Sequence, residues 1–459
     1  MTRQTKFTFC FVIFLTAGFS SLLVVYSPSL SFWWDEFSLI QAHTQFAYGI
    51  ANSHMGHFLP LGRLAFAFYV EAFGASYLPM MLINALICFV SIALLFLFIR
   101  TTDEQQFLTH LLFAIPVISL ISSAGVLYDI QWAMQVCWFL SILFGAFALF
   151  SLNLLRNQYL FLALSLFLSW LSLSSNIIGI AILISAIGIW KSKLTFKQVS
   201  LILVSSFCLF FIGYIVAKNS HPIDPNAYGS PIDLIAISKN FYLVIELTGV
   251  LAMSWLLSPI SVFSTSSQSR FYSLGSNIDS VSHLNLVVLL LLFSFLILWI
   301  LRSEKKHVPL SLLLLILGIV GQSGLIVISR FGFFSESRSS QLQGFLHVRY
   351  APILQLLATF FWMFLLITYM HGRRKRIPSA IPIVILILLI TTTAWAALQL
   401  PKSIANSSDL GRISRTKDQL IEFKKCGDPS SVFIYGEIQP SIPSPLMCEI
   451  TGTVSGLND

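Results

Sequence analysis

Asp35 and Glu36 are adjacent carboxylates in the stretch SFWWDEFSLI (31–40), behind two tryptophans and the first long apolar run of the chain. A carboxylate within hydrogen-bond reach of a hydroxyl or amine can take its proton while that group attacks an electrophilic carbon. Asp35 also has a structural use, as the cap that accepts backbone N–H groups of a helix starting at Glu36. A second constellation is basic. The stretch RFGFFSESRSSQLQGFLHVRYAPI (330–353) holds Arg330, Arg338, His347 and Arg349, with Tyr350 next in line. A guanidinium offers phosphate oxygens a planar fork of donors. At a membrane surface, the same arginines can simply extend their charged heads to water.

Two smaller sets accompany these. NSHMGHFLPLGRL (52–64) brings His54, His57 and Arg63 close together, and Asp129 stands in LYDIQWAMQ. The His–x–x–His spacing lacks a third ligand, so no metal site is assigned to it. Asp129 is either a solvated loop acid or a group lining the site. Lys218, Lys239 and Arg270 are further cations on the segment 218–283.

The elements that must position these groups are set by composition. The 459 residues are 56% hydrophobic and 10% charged, with 41 Phe. Soluble domains carry roughly 25% charged residues, so this chain has too few to cover a water-facing surface. With a bilayer as solvent, the backbone must satisfy itself in helices or a closed barrel. The apolar runs do not alternate and reach spanning length, which excludes the barrel. The expectation is an all-α polytopic membrane protein. About 11 passes are expected, at 7–26, 79–99, 107–124, 133–155, 158–173, 176–190, 198–217, 284–301, 308–329, 350–370 and 379–399. The first run is read as a retained anchor because it is long for a signal-peptide core and lacks a small-residue cleavage site.

Charge sets the sidedness. Arg3, Lys6, Arg100, Arg156, Lys191, Lys193, Lys197, the cluster RSEKKH (302–307) and the run RRKR (373–376) fall on one side and hold 14 of the 27 Lys and Arg. That side is cytoplasmic by the positive-inside rule, and the net charge of +8 needs no nucleic-acid partner. The outer side then receives 27–78, 218–283, 330–349 and a tail, 400–459. The first outer segment should lie on the surface as juxtamembrane helices. The stretch FYLVIELTGVLAMSWLL (241–257) is apolar enough to span, but a single extra pass would reverse everything after it. It is read as re-entrant or interfacial, with a paired pass through 218–283 as the alternative. Cys426 and Cys448 share the polar outer tail, which also carries the strand-like SVFIYGEI (431–438); they are expected to form a disulfide.

The Asp–Glu pair after the first pass resembles the signature of the GT-C glycosyltransferases, the protein O-mannosyltransferase and aminoarabinose transferase-like group. GHFLPLGRLAFAFYVEAFGASYLPMMLINALICFV (56–90) is similar to that family's second juxtamembrane helix and second pass. HVRYAPILQLL (347–357) is similar to the Arg–Tyr motif that opens a late pass in several members. The resemblance covers about 30–100, 128–190 and 345–370, and leaves out the tail.

It implies a catalytic transmembrane domain over 1–399 in a bacterial inner membrane, working on the periplasmic side. The donor would be a sugar on a polyprenyl phosphate; the acceptor would be a glycan, lipid or protein. Asp35 would be the general base and Glu36 its assistant. His54, His57, Arg63 and Asp129 would line the acceptor side. Arg349, Arg338, Arg330, His347 and Tyr350 would hold the donor phosphate. No cofactor is implied with certainty, and a divalent metal is not favoured because the second outer loop has Asp129 but no clear DxD. Two rivals remain. An O-antigen polymerase or ligase also concentrates basic residues in late outer loops, and a multipass lipid or solute transporter would need polar groups buried along a pathway.

Overall fold

A computed structural model describes residues 57–73, 77–100, 135–154, 158–219, 234–261, 278–303, 306–329 and 351–372, with two short strands in the tail. Nearly all of the described residues are helical. The helices are α1 Pro60–Phe73, α2 Tyr77–Arg100, α3 Val136–Leu154, α4 Gln158–Ser172, α5 Ile177–Trp190, α6 Phe196–Asn219, α7 Leu234–Lys239, α8 Phe241–Ser261, α9 Ile278–Arg302, α10 His307–Ser329 and α11 Ala351–Gly372. The apolar runs at 79–99, 133–155, 158–173, 176–190, 198–217, 284–301, 308–329 and 350–370 thus each fall on a helix. Those at 7–26, 107–124 and 379–399 lie outside the described residues. Among the described residues, two helical stretches, Phe196–Asn219 and His307–Ile328, are long and apolar enough to cross a membrane. In the tail, β1 Val432–Phe433 pairs antiparallel with β2 Ile442–Pro443, so the strand-like 431–438 supplies one short edge.

Helix α5 is the centre. Its sequence IIGIAILISAIGIW is apolar on every side, as a fully buried helix should be, and it packs against α3, α4, α6, α10 and α11. Its end follows from local chemistry. Ser192 takes a left-handed φ of 54°, and the Lys193 N–H returns to the Gly188 carbonyl at 2.8 Å, closing the helix with a Schellman turn. The next helix then starts on a reciprocal cap. The Thr195 N–H donates to Gln198 Oε1 at 2.8 Å, while the Gln198 N–H donates to Thr195 Oγ1 at 3.4 Å, the arrangement of a capping box.

Glycines fix the levels at which helices meet. A Cβ on Gly179 of α5 would lie 2.7 Å from Ile353 of α11 and 2.9 Å from Gln322 of α10; one on Gly318 would meet Ile182 and Leu357. Hence α5 and α11 run in the same direction, and α10 runs opposite to both. We call the end at which α5 and α11 begin the near end.

Helix α8 follows α11. A Cβ on Gly324 would lie 3.6 Å from Thr248, and the Trp362 Nε1–H donates to the Leu256 carbonyl at 2.6 Å. It therefore lies lengthwise against α10 and α11, starting at the near end. Arg302, the last residue of α9, is only five positions from His307, where α10 begins at the far end. So α9 also descends from the near end, parallel to α8. The two touch where Leu286 occupies the space that a Cβ on Gly249 would need, 2.7 Å away.

The outward faces of α6 and α9 are apolar. Leu201, Phe207 and Ile215 on the first, and Leu290, Leu291 and Leu298 on the second, are all exposed.

Candidate functional site

The described part of the site is built on α1. Pro60 opens this helix, where its missing N–H costs nothing and its fixed φ suits the first turn. The residues just before it are pinned reciprocally: the Phe58 N–H donates to Ser174 Oγ at 3.2 Å, and the Ser174 N–H donates to the Phe58 carbonyl at 3.0 Å. The Phe58 ring packs 5.1 Å from that of Trp170. One turn later Gly62 lets α1 come down onto the ends of α3 and α4. A Cβ there would sit 2.5 Å from Cys137 Cβ and 2.8 Å from the Ser172 carbonyl oxygen. Further along, the Tyr69 hydroxyl donates to Asn84 Oδ1 on α2 at 3.2 Å. Burial holds the Tyr69 phenol well above its ordinary pKa, so it remains a protonated donor in that bond.

This docking orients two of the expected site residues. His57 is half-buried at the entry to α1. Arg63 follows Gly62 directly and is buried, with 8% of its surface exposed. Burial lowers its guanidinium to about 10, which leaves it cationic at neutral pH. Arg63 is thus a buried cation on the first turn of α1.

Beneath α1 lies a buried polar knot at the same end. Ser141 Oγ of α3 and Ser169 Oγ of α4 are 3.0 Å apart, and Ser169 Oγ also donates to the Ser141 carbonyl at 3.0 Å. The Asn176 Nδ2 donates to Ser141 Oγ at 3.2 Å. Asn176 Oδ1 and Gln135 Oε1 are buried with no partner among the described residues, and buried acceptors of this kind call for water or ligand hydroxyls. Composition gave no hint of this knot; the spacing of Ser165, Ser169 and Ser172 on one face of α4 was the available signal.

The structure brings together at the near end the start of α1, the first residues of α3, α5, α8, α9 and α11, and the last of α4, α6 and α10. Asp35, Glu36, His54, Asp129, Arg330, Arg338, His347, Arg349, Tyr350, Cys426 and Cys448 lie outside the described residues. The described neighbours of several do not: Tyr350 adjoins Ala351 and Arg330 adjoins Ser329, both helix ends at the near end. Among the described residues, no group of three His, Cys, Asp or Glu side chains is placed to hold a metal ion.

The chain matches no protein-family model, no curated protein and no solved structure.

Proposed function

We propose that this is a multipass inner-membrane glycosyltransferase of GT-C type, which moves a sugar from a polyprenyl-phosphate donor to an acceptor on the periplasmic side. The observation that carries the reading is the gathering at one end. Charge counting assigns the starts of α3, α5 and α11 and the ends of α4, α6 and α10 to the outer side, and these ends lie together at the near end, where α1 docks on α3 and α4. The parallel directions of α8 and α9 are compatible with a re-entrant α8 and equally with a paired pass through 218–283. The exposed apolar faces of α6 and α9 suit contact with lipid chains better than with water.

In this reading Asp35 takes the proton of the attacking hydroxyl or amine as the bond to the anomeric carbon forms. The bond from that carbon to the donor phosphate breaks, and its electron pair leaves with the phosphate. An anionic phosphate leaves without a general acid, so a second carboxyl acid is not required, unlike in glycoside hydrolysis. Positive charge is required instead, where negative charge grows on the phosphate; Arg349 serves there, with Arg338, Arg330, His347 and Tyr350 around it. Glu36 orients Asp35 or the acceptor. His57 and Arg63 line the acceptor side with His54 and Asp129.

One displacement without a covalent intermediate inverts the anomeric centre. Purified protein in proteoliposomes, given a panel of radiolabelled polyprenyl-phosphate sugars and a cell-envelope extract as acceptor, should release free polyprenyl phosphate. Product of retained anomeric configuration would contradict the single displacement.

A further inference from the structure

A further pair of buried amides lies just inside the near end, where α5, α10 and α11 meet. Gly179 makes the meeting possible. A Cβ on it would lie 2.7 Å from Ile353 Cγ1 of α11 and 2.9 Å from Gln322 Nε2 of α10, so the Gln322 amide rests against the bare backbone of α5. Gln322 is 5% exposed, and its Nε2 has no hydrogen-bond partner among the described residues. Asn176 stands three positions before Gly179 and already has helical backbone angles. Residues three apart share a helix face, with Cβ atoms about 5–6 Å apart. Asn176 is fully buried. Its Nδ2 is taken by Ser141 Oγ, but its Oδ1 has no partner among the described residues. An orphan donor and an orphan acceptor thus stand one turn apart along one face of α5. Buried polar atoms of this kind are costly to leave unpaired.

We infer that Gln322 and Asn176 bind hydroxyl groups of an uncharged sugar, the one carried by the lipid-linked donor. A hydroxyl both donates and accepts, so a sugar ring can accept from Gln322 Nε2 and donate to Asn176 Oδ1. Charge narrows the class of sugar. Among the described residues, the buried polar side chains of α5, α10 and α11, with Asn176, are amides and hydroxyls, none of them charged. An ammonium or carboxylate on the ring would enter beside them without a counter-charge, which a buried site penalises heavily. Sequence position favours the donor's sugar over the acceptor's: Ile353, which shares the notch at Gly179, is four positions after Arg349. Because only the glycosyl-transfer reading puts the donor phosphate at Arg349, the assignment rests on that reading. It adds which sugars the site takes and which residues choose them.

The test is direct binding to the full-length chain in nanodiscs. The probes are polyprenyl phosphate alone, the same carrier bearing glucose, mannose or galactose, and the carrier bearing glucosamine or glucuronate. At least one neutral hexose should raise affinity about tenfold or more over the bare carrier, as one or two buried hydrogen bonds can. The two charged sugars should add little or nothing. Gln322→Leu, which keeps bulk and removes the donor, should erase the gain, whereas Ser311→Ala, at the far end of α10, should preserve it. Should Gln322→Leu fail to fold, the wild-type comparison of neutral with charged sugars decides. If the bare carrier binds, three results each overturn the sugar site alone and leave the two amides to bound water: no gain for any hexose, an equal gain for the charged sugars, or a gain that survives in Gln322→Leu. A bare carrier that does not bind overturns the glycosyl-transfer reading, and this assignment with it.

Discussion

Asp35→Asn protein should insert and fold as the wild type does and lose transfer by about a hundredfold to ten-thousandfold, the range that positioned general bases contribute. The substitution keeps size and hydrogen-bonding reach while removing the ability to accept a proton at neutral pH. If Asp35 were only a helix cap, Asn would serve nearly as well, because Asn and Asp cap equally. The variant thus separates the two uses of this residue. The measurement is the initial rate of polyprenyl phosphate release, with the Tm of the purified variant as a control for folding. A wild-type rate would remove Asp35 from the mechanism.

The second large effect is expected at Gly62. Alanine there places a methyl group 2.5 Å from Cys137 Cβ and 2.8 Å from the Ser172 carbonyl oxygen. Neither neighbour is the flexible tip of a side chain, so α1 has to move away from α3 and α4. Overpacking of this kind costs roughly 1–3 kcal/mol and sometimes more. Displacement of α1 also strains the paired hydrogen bonds between Phe58 and Ser174 and shifts Arg63. We expect a clear fall in Tm and a loss of transfer larger than that fall alone explains, read by comparing turnover well below the variant's own Tm. Unchanged Tm and turnover would mean that α1 is not held as described.

The sequence disclosed most about single helices and least about their pairing. The apolar runs could be read directly because a spanning stretch is long and almost free of charge, so α2 to α6 and α9 to α11 stand where the runs predict. The direction of α8 was harder. Its composition alone is compatible with a full pass, an interfacial helix or a re-entrant one, and only its contacts with Gly324 and Trp362 set its direction. Arg63 shows the converse. Its type and its neighbours His54 and His57 marked it early, but its burial depends on Gly62 letting α1 settle onto α3 and α4. Such close approaches are properties of pairs of elements, and periodicity within one element does not report them.

The central claim is that the near end holds a polyprenyl phosphate beside Asp35, and it can be tested without knowing the sugar. Polyprenyl phosphate is the common part of every such donor, so its direct binding to the purified protein in nanodiscs is the decisive measurement. The account predicts saturable binding, competition by unlabelled polyprenyl phosphate but not by the uncharged polyprenol, and at least tenfold weaker binding in Arg349→Gln. Equal affinity for the phosphate and the alcohol, or unaltered binding in Arg349→Gln, would contradict it.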